Sequence, residues 1–85
     1  MDIIVFSNSN CRFCLQQKEW MSENKITFQE KNIINPEHYE EFLKHNVQGV
    51  PLTIIKSGDR VQKIRGFNEK ELKKIFNLTS GQGYY

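Results

Sequence analysis

The stretch Ile3-Ile4-Val5-Phe6-Ser7-Asn8-Ser9-Asn10-Cys11-Arg12-Phe13-Cys14 decides how the rest of the chain is read. Its first four residues form a continuous apolar run rich in β-branched side chains, the pattern of a strand buried in a parallel pair. Ser7 to Asn10 is a polar loop of helix-capping residue types. From Cys11 or Arg12 the composition turns to Gln, Lys, Glu, Trp and Met, which predicts a helix to about Asn24. Two cysteines, two residues apart, therefore stand where a buried strand gives way to a helix.

That placement has chemical consequences. A thiolate at a helix N-terminus meets unpaired backbone N–H groups and the positive end of the helix dipole. The Cys11 pKa is expected to fall below the free thiol value of about 8.5, with Arg12 adding a positive charge alongside. The spacing puts the second sulfur one helical turn away, within reach of a disulfide. Cys11, at the helix start, meets a partner disulfide; Cys14, inside the helix, is expected to be buried and less acidic. Cys11 then attacks, a mixed disulfide forms, and Cys14 resolves it.

Outward from this centre the signals alternate. Ile26-Thr27-Phe28, continuing to Ile33-Ile34, reads as a second strand. Asn35-Pro36-Glu37 is a helix start, with cap, N1 proline and first-turn acid in order. Tyr39, Phe42 and Leu43 carry that helix to about Asn46, ahead of Gly49. Leu52 to Ile55 and Val61 to Ile64 are two further strands joined by the turn Ser57-Gly58-Asp59, a hairpin. Asn68 with Glu71 resembles a capping box, and Leu72, Ile75 and Phe76 form the stripe of a last helix. The order is βαβαββα. The first three elements make a parallel unit with a right-handed crossover, and the whole is an α/β fold with a four-stranded mixed sheet flanked by three helices. One domain over residues 1–78 is expected, followed by a flexible polar tail over 79–85.

Composition excludes several classes. Eighty-five residues suffice for one thin-cored domain. Two cysteines are too few for a disulfide scaffold or a four-cysteine zinc ribbon. The longest apolar runs are four residues, so neither a membrane segment nor a secretory leader is expected. A cytoplasmic protein follows. Net charge is +2 with the signs interleaved; Lys70, Lys73 and Lys74 share their helix with Glu69 and Glu71 and read as a solvated face, not a nucleic-acid footprint.

Other readings of the cysteines are weaker. A structural disulfide across two residues closes too small a loop to stabilise much. A zinc site would need His38 and His45, which lie seven residues apart on the second helix, too far to chelate one ion easily; both read as surface histidines. Two inert core cysteines remain as a third alternative. No metal is expected. Trp20 is expected to pack on its own domain or lie half-exposed, and Tyr84-Tyr85 has no partner visible in the sequence.

Cys11-Arg12-Phe13-Cys14, Lys18 in the helix after it, Val50-Pro51, and Gly66-Phe67 before the last helix together resemble the glutaredoxins, within the thioredoxin-like fold. The resemblance runs from about Asp2 to Leu78. It implies that Pro51 is cis and faces the cysteine pair, and that Val50 offers its backbone N–H and C=O to an extended substrate. It implies substrate contacts from Arg12, Phe13, Val50, Pro51, Gly66 and Phe67. Without that implication Pro51 is a strand-start proline, and Phe67 is a hydrophobic staple onto Leu72.

Four features depart from the glutathione-using members. Arg12-Phe13 stands for Pro-Tyr, no lysine precedes Cys11, Gly49 replaces Thr before Val50-Pro51, and Arg65-Gly66-Phe67-Asn68-Glu69 replaces Gly-Gly-x-x-Asp. A charged tripeptide needs well-placed donors for its carboxylates. Gly66-Phe67 is instead similar to the NrdH-redoxin branch with its Ser-Gly-Phe signature, although Arg65 and Ile64 replace the usual small residue and Trp. That branch implies a dithiol electron carrier with no bound cofactor, reduced by thioredoxin reductase and NADPH and passing electrons to ribonucleotide reductase or another protein disulfide. A monomer is expected. The alternatives are a glutathione-dependent glutaredoxin and a non-catalytic redox-sensing or binding module. An iron–sulfur carrier would carry Ser at the Cys14 position, as in Cys-Gly-Phe-Ser.

Overall fold

A computed structural model describes residues 1–77 of the chain. The expected domain end at Leu78, the tail over 79–85 and the Tyr84-Tyr85 pair lie outside the described residues. Seven elements occur in the expected order. They are β1 (Asp2–Ser7), α1 (Arg12–Glu23), β2 (Gln29–Asn32), α2 (Pro36–Leu43), β3 (Leu52–Ser57), β4 (Arg60–Arg65) and α3 (Glu69–Ile75). The sheet order is β2-β1-β3-β4. β1 pairs with β2 in parallel and with β3 antiparallel, and β3 and β4 form the hairpin.

Strand alternation builds two small cores, one on each face of the sheet. Phe6, Leu52 and Ile54 point to one face, where Phe42 of α2 covers them and packs its ring 5.7 Å from that of Phe6. Ile55 and Ile64 point to the other face and meet Leu72 of α3, with Trp20 of α1 and Phe67 packed against them. The central strand β3 therefore needs apolar residues at consecutive positions, which is why Leu52-Thr53-Ile54-Ile55 is nearly unbroken.

The element termini follow local chemistry. Asn35 Oδ1 accepts from Glu37 N–H at 2.9 Å and Pro36 occupies the first turn of α2. Asn68 Oδ1 accepts from Glu71 N–H at 3.1 Å at the start of α3. Gly58, with φ +61°, takes the first central position of the hairpin turn between Ser57 and Arg60, where a positive φ favours glycine.

Three expectations need correction. The second strand is shorter than the expected stretch from Ile26 to Ile34: only its polar centre, Gln29–Asn32, pairs with β1, and the apolar ends lie outside the ladder. Ile26 is held back by α1, its N–H donating to Met21 O at 2.9 Å, and Ile33 leaves the ladder with a last bond to Ser7 O at 2.8 Å. β2 is an edge strand that needs only register with β1, so its residues need not be apolar. The second helix ends at Leu43 and not near Asn46, because Lys44, His45 and Asn46 donate only three residues back, a tightened final turn closed by Asn46 at φ +53°. His38 and His45 are half-buried and not surface groups. The His45 ring lies 5.5 Å from that of Phe6, and burial, then Lys63 and Lys56, hold its pKa below the usual imidazole value.

Leu72 is completely buried and Leu43 is 52% exposed, both on helices. Leu72→Ala is expected to lower stability by about 2–5 kcal/mol, through lost transfer energy and an unfilled cavity. Leu43→Ala is expected to change it by no more than about 0.5 kcal/mol. Urea unfolding of the two variants checks the contrast.

Candidate active site

The loop from β1 into α1 is shaped by its own side chains. Asn8 Oδ1 accepts from Asn10 N–H and Asn8 O accepts from Cys11 N–H, both at 3.0 Å. This turns the chain so that Cys11 reaches the N-cap of α1 with extended backbone angles, φ −100° and ψ 114°. A sulfur thereby does what Ser or Asp usually does at a cap. Cys11 Sγ accepts from Cys14 N–H at 3.1 Å. The same sulfur lies 3.8 Å from Val50 O, a long S–H contact across to the loop before β3.

The two thiols differ sharply in surroundings. Both are free; Cys11 is half-buried and Cys14 is 1% exposed. Burial pushes the Cys14 thiol up to about 12, and its hydrogen bond with Cys11 adds to the rise. The Asn8 backbone and the Lys18 charge act in the opposite direction.

The structure brings Cys11, Cys14 and Val50 together and joins Pro51 to Gly66. The Val50-Pro51 bond is cis. Pro51 O accepts from Gly66 N–H at 2.7 Å, tying the segment before β3 to the one after β4. Gly66 has φ +79°, a conformation that favours glycine. Phe67 turns inward: its ring lies 6.2 Å from that of Trp20, and it packs on the cluster containing Leu72. Arg12 and Phe13 project outward from the first turn of α1, Phe13 with 61% of its surface exposed. Among the described residues no group of three His, Cys, Asp or Glu side chains gathers as a metal site.

Two polar arrangements beneath the cysteines escape a reading of the sequence. Gln17 is fully buried, one turn after Cys14, and donates Nε2 to Thr53 Oγ1 at 2.6 Å and to Met21 Sδ at 3.6 Å, while its Oε1 has no partner among the described residues. Glu30 of β2 receives both Ser7 Oγ and Lys18 Nζ on one oxygen, each at 2.6 Å. Those two bonds hold its carboxyl below the usual carboxylate range. The spacings Cys14–Gln17 and Cys14–Lys18 place these side chains on the cysteine's side of α1. Their strand partners become visible only once the sheet is assembled.

Comparison with known proteins gives one consistent picture. Residues 3–59 match the family model described as Glutaredoxin. The chain is 34% identical over 74 residues to the glutaredoxin-like protein NrdH of Lactococcus lactis subsp. cremoris, covering 86% of this chain and 97% of the relative. Its fold is similar to a variant of the thioredoxin-like protein BC3987, with TM-score 0.80, 19% identity, and coverage of 92% and 97%. It is also similar to the NrdH-redoxin of Escherichia coli, with TM-score 0.72, 21% identity, and coverage of 88% and 95%.

Alkylation should tell the two sulfurs apart. A thiol that ionises near 12 is thiolate in only about one molecule in ten thousand at pH 8. Iodoacetamide at pH 8 is therefore expected to modify Cys11 and spare Cys14 in the folded protein, and to modify both once guanidinium removes the burial. Peptide mass spectrometry reads the sites; equal labelling in the folded state would contradict the burial argument.

Proposed function

The chain belongs to the glutaredoxin family and is a thiol–disulfide oxidoreductase, and from that premise we propose that it is a dithiol electron carrier in which Cys11 attacks and Cys14 resolves. The observation that carries this reading is the asymmetry of the pair. One sulfur sits half-exposed at a helix cap with a backbone N–H aimed at it; the other is buried and held as a thiol.

The cycle follows from that asymmetry. Cys11 thiolate attacks one sulfur of a partner disulfide, the partner's second sulfur leaves as a thiolate, and a mixed disulfide remains. Cys14 loses its proton to solvent and attacks the Cys11 sulfur. The intramolecular disulfide forms and the partner's other sulfur is released reduced. The protein gives up two electrons and must be reduced again.

Val50 and Pro51 form the platform on which the partner's extended segment lies, with the Val50 carbonyl beside the attacking sulfur. Gly66 holds that platform from below through Pro51 O. Arg12 and Phe13 flank the sulfur on the exposed side and meet the partner first. Phe67 contributes at the rim while its ring braces α1 against α3.

The partner choice we favour is ribonucleotide reductase as acceptor and thioredoxin reductase with NADPH as donor. The curated relative is named a glutaredoxin-like protein NrdH. The Escherichia coli neighbour is described as a glutaredoxin-like protein with a thioredoxin-like activity profile. Within this chain, Ser7 to Asn10 carries no cation and Phe13 no hydroxyl, so Arg12 is left as the one charged donor next to Cys11 for glutathione's two carboxylates. The sulfur pair itself carries the electrons, with no bound cofactor, in a cytoplasmic monomer that uses neither nucleic acid nor membrane. No helix of the described residues is long and apolar enough to cross a membrane.

Two experiments test this reading. With a protein disulfide as acceptor, turnover is expected with NADPH and thioredoxin reductase. Turnover only with NADPH, glutathione and glutathione reductase would reassign the reductant, and none with either would point to a sensor. Separately, Cys14→Ser is expected to accumulate a mixed disulfide on Cys11 and Cys11→Ser to abolish exchange, read by mass spectrometry; equal residual activity in both would reverse the roles.

A further inference from the structure

Three polar side chains from three elements meet at one carboxylate oxygen, with Ser7 buried and Lys18 and Glu30 partly exposed. Val5 and Glu30 stand opposite each other in the parallel register of β1 and β2. Glu30 therefore shares with Val5, and with Ser7 two residues on, the face of the sheet that carries α1. Ser7 Oγ and Lys18 Nζ both donate to Glu30 Oε2 at 2.6 Å. Ser7 is fully buried, and its carbonyl is tied to Ile33 N–H at 2.8 Å. Lys18 follows Cys14 by four residues on α1, the spacing that stacks two side chains on one helix face. A lysine that would otherwise sweep through solvent is thus pinned beside the flank of a nearly inaccessible sulfur.

We propose that Lys18 is a positioning residue for the resolving step: its ammonium, tethered by Glu30, which Ser7 holds in turn, favours the thiolate of Cys14 as that sulfur attacks Cys11. This inference rests on the reading of Cys14 as the resolving thiol.

The electrostatics of the mixed disulfide make the role specific. In the dithiol form, burial and the neighbouring Cys11 both keep Cys14 protonated. Once Cys11 is bonded to a partner it no longer acts as an acidic neighbour. Burial then stands against the Asn8 N–H and the Lys18 charge. The ionisable groups that act on Cys14 are Cys11 at the N-cap and Lys18 on α1, and Glu30 on β2 holds Lys18. β1 from Ile3 to Ser7 and the segment Val50 to Thr53 bring no carboxylate, amine or imidazole. Glu30 stays ionised at neutral pH, which keeps the tether closed. In the step itself, Cys14 gives its proton to water and forms a bond to the Cys11 sulfur. The bond from Cys11 to the partner breaks, and the partner sulfur departs with the electron pair.

Dithiobis(nitrobenzoate) at one equivalent separates the two steps. The first nitrothiobenzoate released marks attack by Cys11, and the second marks resolution by Cys14. Stopped-flow rates of both phases would be recorded against pH for the wild type, Lys18→Met and Lys18→Arg. Lys18→Met is expected to slow the second phase severalfold at neutral pH, because it removes the cation that favours the Cys14 thiolate. Its inflection should move to higher pH while the first phase is unchanged. Lys18→Arg is expected to keep the wild-type profile. Superimposable second phases in wild type and folded Lys18→Met, or an arginine variant that behaves like methionine, would overturn the proposal. If circular dichroism shows Lys18→Met unfolded, Lys18→Gln is judged by the same readouts. A second phase that persists in Cys14→Ser would instead overturn the reading of Cys14 as the resolving thiol.

Discussion

A sulfur atom caps a helix, and the site depends on that one contact. The Cys11 side chain takes the place of a capping oxygen and accepts the Cys14 N–H at 3.1 Å. Four N–H groups at a helix start need partners from outside the helix, and here one of them is satisfied by the Cys11 sulfur. The same geometry leaves the Cys11 sulfur half-exposed and turns the Cys14 sulfur inward. The cap and the asymmetry of the pair are consequences of a single placement, which the Asn8-centred turn enforces.

The remaining parts of the molecule hold that placement against a thin core. Two small apolar clusters, one on each face of the sheet, anchor the strands whose ends form the site. The Gly66 N–H to Pro51 O bond joins the two loops opposite Cys11. Behind Cys14 the interior is not simply apolar. Gln17 spends a buried amide on Thr53, and its unpartnered oxygen carries a desolvation cost of about 1–3 kcal/mol. In a domain this small such a cost is a sizeable share of total stability. Ser7, Glu30 and Lys18 add a second polar bridge across β1, β2 and α1. α1 is thus fastened to the sheet by directional bonds near the cysteines and by apolar packing, through Trp20 and Met21, farther along.

Much of this was legible in the residues. Ile3 to Phe6 followed by capping residues and a cysteine pair announced a strand, a loop and a helix, because burial periodicity and cap chemistry act over a few neighbouring positions. Asn35-Pro36-Glu37 and Asn68 did the same for the later helices, and both asparagines cap as their types suggest. The second strand is shorter than its sequence suggests, because apolar Ile26, Phe28, Ile33 and Ile34 flank the polar Gln29–Asn32 that alone pairs with β1. An edge strand is selected by its neighbour's register, not by its own hydrophobicity. His45 was read as solvent-exposed because nothing near it in the chain reveals that α2 lays it on Phe6.

The sequence by itself determined the element order, the cysteine spacing and the helix start that makes one thiol different from the other, since these are set by short-range sterics, hydrogen bonding and periodicity. Only the tertiary structure decided what surrounds those sulfurs. Val50 beside Cys11, Glu30 and Ser7 around Lys18, and Thr53 on Gln17 bring together residues separated by 12 to 39 positions. Their meeting depends on strand order and register, and no local pattern along the chain encodes a register between distant strands.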